Sequence, residues 1–249
     1  MHTFKAWRGY SLTELMIGMF LSALLVSGMT SLLGGSVSAY RLQLSKSQLE
    51  ESGRYARDVL ISHISQAGFQ PKPWQSQAAL PALTDETINS DTTSGDQLGT
   101  QRWSRHNCYG NENPITDGNS EPAFYLLQTV FRVTAANNLA ITCRYGPNST
   151  QLKTQINNYG LVEGVESMQV LFAEDQNGDK IADSWVTGQA WQRESHIRAV
   201  KIGLLLSTTL AFNERVSKQV TLLDETFDTP ADGQLRKVRS LTTAIRGRL

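Results

Sequence analysis

Asp175, Asn177, Asp179 and Asp183 place oxygen-bearing side chains at positions 1, 3, 5 and 9 of one short stretch, with the carbonyl of Ile181 at position 7. This is the chemistry of a hard cation. Calcium takes six to eight oxygen ligands, and such spacing lets a single loop fold around the ion. Two positions depart from that pattern. Lys180 stands at position 6, where the sharp turn favours Gly, and Val186 stands at position 12, where a bidentate Glu would complete the set. The same residues also suit an Asx-turn hairpin between two strands, which needs no ion. Any calcium bound here would fall in the weak extracellular class of affinities.

A second chemical residue is Glu14. No charged residue follows it from Leu15 to Tyr40. As a helix that run is about 39 Å long, enough to cross a bilayer. A lone carboxylate beside a membrane-length helix is costly without a partner, so its default reading is functional. Ahead of it lie Gly9 and a short basic leader, Met1 to Arg8, with Lys5 and Arg8. A conventional secretory signal is cut at the far end of its apolar region. The small residue here precedes that region, so cutting at Gly9 retains the helix. The alternative is an uncut signal anchor. Either way the basic leader stays cytoplasmic and the bulk of the chain is exported.

Two cysteines, Cys108 and Cys143, fall on the exported side, where an oxidising compartment favours their pairing. Closing that loop contributes about 4 kcal/mol in the chain-entropy model. Two free buried thiols are the alternative. A metal site is disfavoured, because two thiols with only His106 nearby do not complete a tetrahedral set.

Catalytic machinery is not evident. His2, His63, His106 and His196 are scattered, and there is no H-E-x-x-H, no G-x-S-x-G and no phosphate-cradling glycine loop. A non-enzymatic protein with no required cofactor is expected. The 23 Lys+Arg balance the 23 Asp+Glu, so no clustered basic face marks nucleic acid as a partner.

The elements that position these residues begin with the helix. Past Tyr40, apolar residues recur at Leu42, Leu49, Ala56, Val59, Leu60 and Ile64, close to helical spacing. Glu50, Arg54 and Asp58 are spaced for i,i+4 pairs. Gly68 suits a C-terminal cap, and Pro71 and Pro73 bar continuation. The spacing predicts one helix over 10–67, with a membrane segment about 12–40. Residues 68–249 form a β-rich exported domain, irregular over about 72–122. Strand patterns follow at Phe124–Thr134, Leu139–Tyr145, Val165–Ala173, His196–Ser207, Val216–Leu223 and Arg236–Ile245. The class is α+β, with the helix packed on an antiparallel sheet.

Gly9, Tyr10 and Glu14 before an apolar run resemble the class III signal of type IV prepilins, whose members mostly carry Phe where Tyr10 stands. The resemblance implies a pilin-like fold. It also implies a leader of residues 1–9, cleavage after Gly9 by a prepilin peptidase, and N-methylation of Tyr10. Glu14 would then pair with the N-terminal amine of a neighbouring subunit during assembly. The Asp175 stretch resembles the calcium loops of EF-hands and aspartate-rich extracellular repeats. Gly160–Val170 and the basic tail Leu235-Arg236-Lys237-Val238 to Arg246-Gly247-Arg248 look like the PilW-type minor pilins. Lys237 and Gly247 depart from the usual tail.

In functional terms, the resemblance implies a minor type IV pilin that primes assembly at the filament tip, supporting twitching motility, adhesion or DNA uptake. Its partners would be other minor pilins, the major pilin, the prepilin peptidase and the inner-membrane assembly platform. It would sit in the inner membrane with a periplasmic domain before assembly, and in the pilus after it. J-type pseudopilins of type II secretion share the Gly-Val-Glu-like stretch and are the alternative, as is a tip adhesin using the 72–122 loops.

Overall fold

The computed structural model describes residues 11–72, 79–90, 92, 94–211 and 216–246. The expected leader and Tyr10 lie outside them. The chain divides into two units, residues 1–46 and 47–249.

Helix α1, Leu12–Ser65, runs through both units. In the first, Leu15, Phe20, Leu25 and Leu32 are all more than half exposed, so the apolar surface has no partner within its own unit. The hydroxyls of Ser22, Thr30 and Ser36 donate to the backbone carbonyls of Met19, Ser27 and Leu32 at 2.8, 2.9 and 2.9 Å. That satisfies these polar groups inside the helix, as an apolar medium requires.

In the second unit the helical spacing turns Leu49, Ala56, Leu60 and Ile64 inward, where all are buried. The expected i,i+4 pairs are replaced. Glu50 pairs with Lys237 and Arg239 near the other end of the sequence, and Asp58 pairs with Arg57. The helix stops where backbone chemistry changes. Gly68 takes φ 73°, which costs glycine nothing, and its N–H donates to the carbonyl of Gln101 at 2.8 Å.

Two four-stranded antiparallel sheets follow. The first runs in chain order: β1 (Leu98–Ser104), β2 (Tyr125–Val133), β3 (Asn138–Gly146) and β4 (Lys153–Glu163). The second contains β5 (Val165–Glu174), β6 (Ser184–Thr187), β7 (Ile197–Ala211) and β10 (Gln234–Ala244), in the order β10-β7-β5-β6. Between β7 and β10, β8 (Gln219–Leu222) and β9 (Glu225–Asp228) make a separate ribbon.

One core joins α1 to both sheets through Leu60, Phe131, Leu139, Phe172, Ile202 and Leu206. The step from first sheet to second occurs at Gly164, φ 74°. A Cβ there would lie 2.5 Å from the carbonyl oxygen of Ser207, so only glycine fits the turn.

Four strands depart from expectation. β1 falls inside the segment expected to be irregular, and β4, β6 and β9 have no counterpart in the sequence pattern. β4 reads Lys-Thr-Gln-Ile-Asn-Asn-Tyr-Gly-Leu-Val-Glu and buries only Val162. A strand exposed along most of its length carries no apolar alternation to detect.

Candidate functional site

Glu14 lies in the first turn of α1 and is exposed. Its carboxylate accepts a long hydrogen bond from the Ser11 N–H, 3.4 Å, at the helix end where the backbone dipole favours an anion. Gly9 and Tyr10, the residues expected to be cut and methylated, lie outside the described residues.

Cys108 and Cys143 are joined, with Cα atoms 5.9 Å apart. The bond fastens the loop after β1 to β3. Cys143 is buried with Leu127 and Tyr145, and Cys108 and Tyr125 pack against them. The Cys108 N–H also donates to Gln155 on β4 at 2.9 Å.

The Asp175 loop takes the conformation of the Asx-turn hairpin. Asn177 accepts from the N–H of Asp179 at 2.8 Å, Asp179 from Ile181 at 2.7 Å, and Asp183 from Gln176 at 2.8 Å. Asp175 itself is buried and already engaged. Its Oδ1 accepts from Gly178 at 2.6 Å and its Oδ2 from Lys180 at 2.9 Å. Arg198 on β7 adds a bidentate contact to Oδ2, at 3.1 Å from Nε and 2.6 Å from Nη2. These bonds, the guanidinium first, hold the Asp175 carboxyl below the usual carboxylate range. A cation at position 1 would have to displace a guanidinium that β5–β7 pairing puts there. The side chain of Ile181 is exposed, and no group of three or more His, Cys, Asp or Glu converges as a ligand set among the described residues. The residues as they stand do not fit calcium.

Buried and half-buried acids that sequence spacing did not single out tie the domain together. Glu174 accepts from the N–H groups of Gln192 and Arg193 at 2.6 and 3.1 Å. Glu194 accepts from Ala82 and Leu83 at 2.8 and 2.9 Å. Asp96 accepts from Ser90 and Val170 at 2.8 and 2.7 Å, and burial pushes its pKa up to about 6. His63, on the last turns of α1, packs edge-on to Phe131; burial and the nearby Arg102 bring it down to about 4. Apart from Ser90, six residues before Asp96, each partner is distant in the sequence, so these pairings leave no local signature.

The basic tail is structural rather than a loose strand end. Arg236 on β10 bonds Glu166 and Asp232 with its fork. Lys237 and Arg239, on alternate positions, reach Glu50 of α1.

The family model described as Type IV Pilus-assembly protein W matches residues 130–247, the stretch from β2 through β10. No curated protein matches the chain. Among solved structures, a type IV-like pilin from Thermus thermophilus is similar at 18% identity and a TM-score of 0.49, covering 82% of this chain and 98% of that one.

Proposed function

We propose that this chain, a type IV pilin-like protein matched by the PilW family model over residues 130–247, is a minor pilin that helps prime assembly of a type IV pilus at its tip. One observation carries the reading: Glu14 heads the charge-free stretch of α1, residues 15–40, whose apolar side chains stay exposed within their own unit. Such a helix is long and apolar enough to cross a membrane, and the same surface suits packing against the helices of neighbouring subunits.

The mechanism follows from charge. Cleavage after Gly9 would free the amine of Tyr10, which is then methylated. In a filament interior, a carboxylate gains strongly from one opposite charge, so Glu14 would pair with the N-terminal amine of the adjacent subunit. That pairing would also fix axial register. The chain would wait in the inner membrane as a single-pass protein with its sheets in the periplasm. Its partners would be other minor pilins, the major pilin, the prepilin peptidase and the assembly platform. No calcium enters this account, because Arg198 takes the place an ion would need at Asp175.

The test is deletion of the gene, with surface pili and export of folded proteins scored in the same strain. Fewer pili with normal secretion is the expected result. Normal pili with blocked secretion would replace the reading by a J-type pseudopilin. Normal pili and secretion with failed attachment would replace it by a tip adhesin.

A further inference from the structure

We infer that the open groove at the disulfide end of the first sheet binds an acidic sugar, a saccharide ring that carries a carboxylate. This goes beyond the filament role, since a chain that primes pili does so with or without such a site. The groove encloses about 750 Å³ and runs between the loop after β1 and the β3–β4 connection. That volume falls in the range of small-molecule sites.

Strand register assembles one wall. Tyr145 on β3 and Lys153 on β4 are directly opposed, so their side chains leave the sheet on the same face. Tyr125 on β2 joins them, with its ring 5.4 Å from that of Tyr145. Tyr145 is buried, and its hydroxyl donates to the Ser104 carbonyl at 3.1 Å, so it serves as backing. Tyr125 is only half-buried. Its hydroxyl has no partner among the described residues and is not shut away from solvent. The groove therefore has an aromatic side with a free polar tip.

Two amides set the polarity of the opposite side. Asn107 accepts from the N–H groups of Tyr109 and Asn111 at 2.9 and 3.1 Å, through Oδ1. Gln155 accepts from the Cys108 N–H at 2.9 Å, through Oε1. Backbone N–H groups can only donate, so they fix which end of each amide is the oxygen. Each side chain is left with its NH2 group. Among the described residues neither NH2 has a partner, and neither is sealed from solvent. Both residues line the groove, as does the exposed Lys153. No acid lines it, and none pairs with Lys153 among the described residues.

The groove thus presents pre-oriented donors, one cation and an aromatic wall. Its ligand must be rich in acceptor oxygens, carry one negative charge and offer a C–H face to Tyr125. Hydroxyls and a ring oxygen accept from amides, and a carboxylate accepts a charge-assisted bond from an ammonium. An acidic sugar combines all three.

Saturation-transfer NMR on the full-length protein, in a detergent without a sugar headgroup, tests this with glucuronate, glucose and acetate. Competition titrations should show glucuronate binding about tenfold more tightly than glucose, the usual worth of a charged hydrogen bond. Acetate, which has the charge without the ring, should bind more weakly than glucuronate by a similar factor. Lys153→Gln, at an exposed position, should bring glucuronate down to the level of glucose. Tyr125→Ala should weaken both sugars by about threefold to tenfold. No transfer to either sugar, equal binding of the two, or acetate competing as well as glucuronate would overturn the proposal. So would a Lys153→Gln protein that still prefers the acid, a readout that stands even if Tyr125→Ala fails to fold. A folded Tyr125→Ala protein with unchanged binding would overturn it as well.

Discussion

Arg236 donates two hydrogen bonds to Glu166, 70 residues earlier in the chain, at 2.7 Å from Nε and 2.9 Å from Nη2. The same guanidinium bonds Asp232 at 2.8 and 2.6 Å. Glu166 stands on β5 and Arg236 on β10, so the fork reaches across β7 and fastens three strands. Both residues lie in the segment that the PilW family model matches, and they belong to the two stretches that resembled the PilW type. With Arg236 and Glu166 only 9% and 12% exposed, Arg236→Ala leaves a largely buried acid unpaired. Denaturation should show a loss of about 3 kcal/mol. Arg236→Lys should recover only part of it, since an ammonium cannot grip two carboxylates through a fork. Full recovery by lysine would show that charge alone matters here.

The pH dependence of stability contains two opposed contributions. Asp96 titrates at about 6 in the fold against 3.8 unfolded. Between those values the folded chain keeps a proton that the unfolded chain releases, so this contribution falls as pH rises. His63 titrates at about 4 against 6.5. Between those values the unfolded chain carries the extra proton, so this contribution rises with pH. From pH 4 to 6 the two slopes oppose each other. Denaturant titrations of Asp96→Asn across that window should expose the His63 slope, up to about 1.4 kcal/mol per pH unit. A slope identical to that of the unmutated protein would refute the assignment.

Calcium titration should be silent. Calorimetry on the full-length protein in detergent should detect no calcium-linked heat, because the Asp175 carboxylate is held by Arg198, Gly178 and Lys180. Calcium-linked heat that Asp179→Ala abolishes would restore the ion loop.

Removing the disulfide tests what fastens the loop after β1. The double substitution Cys108→Ser, Cys143→Ser should cost about 2–4 kcal/mol. Residues 105–124 should become the first site of limited proteolysis, since the bond joins that segment to β3. Equal stability and an unchanged cleavage pattern would contradict this.

How much was legible depends on how locally each feature is encoded. The helix was visible because a charge-free run, helical spacing and the Gly68-Pro71 stop all occur in sequence. β2, β3, β5, β7 and β10 were visible through β-branched and aromatic alternation. β1 was hidden by Gly99, Gln101 and Arg102, and β4 by its exposed polar residues. The cysteines could be paired because there were only two. The environment of Asp175 could not be read, since its decisive neighbour, Arg198, lies 23 residues away and arrives through strand register.

The leader assignment admits a simpler check. Gly9→Phe should leave a precursor that migrates above the mature chain on a blot, whereas a band of mature size would contradict cleavage at this position.

The most direct measurement is mass spectrometry of the N-terminal peptide from sheared surface filaments. The expected peptide begins at N-methylated Tyr10 and is present well below the amount of the major subunit. A chain that retains Met1–Gly9 and is found only in the membrane fraction would contradict it.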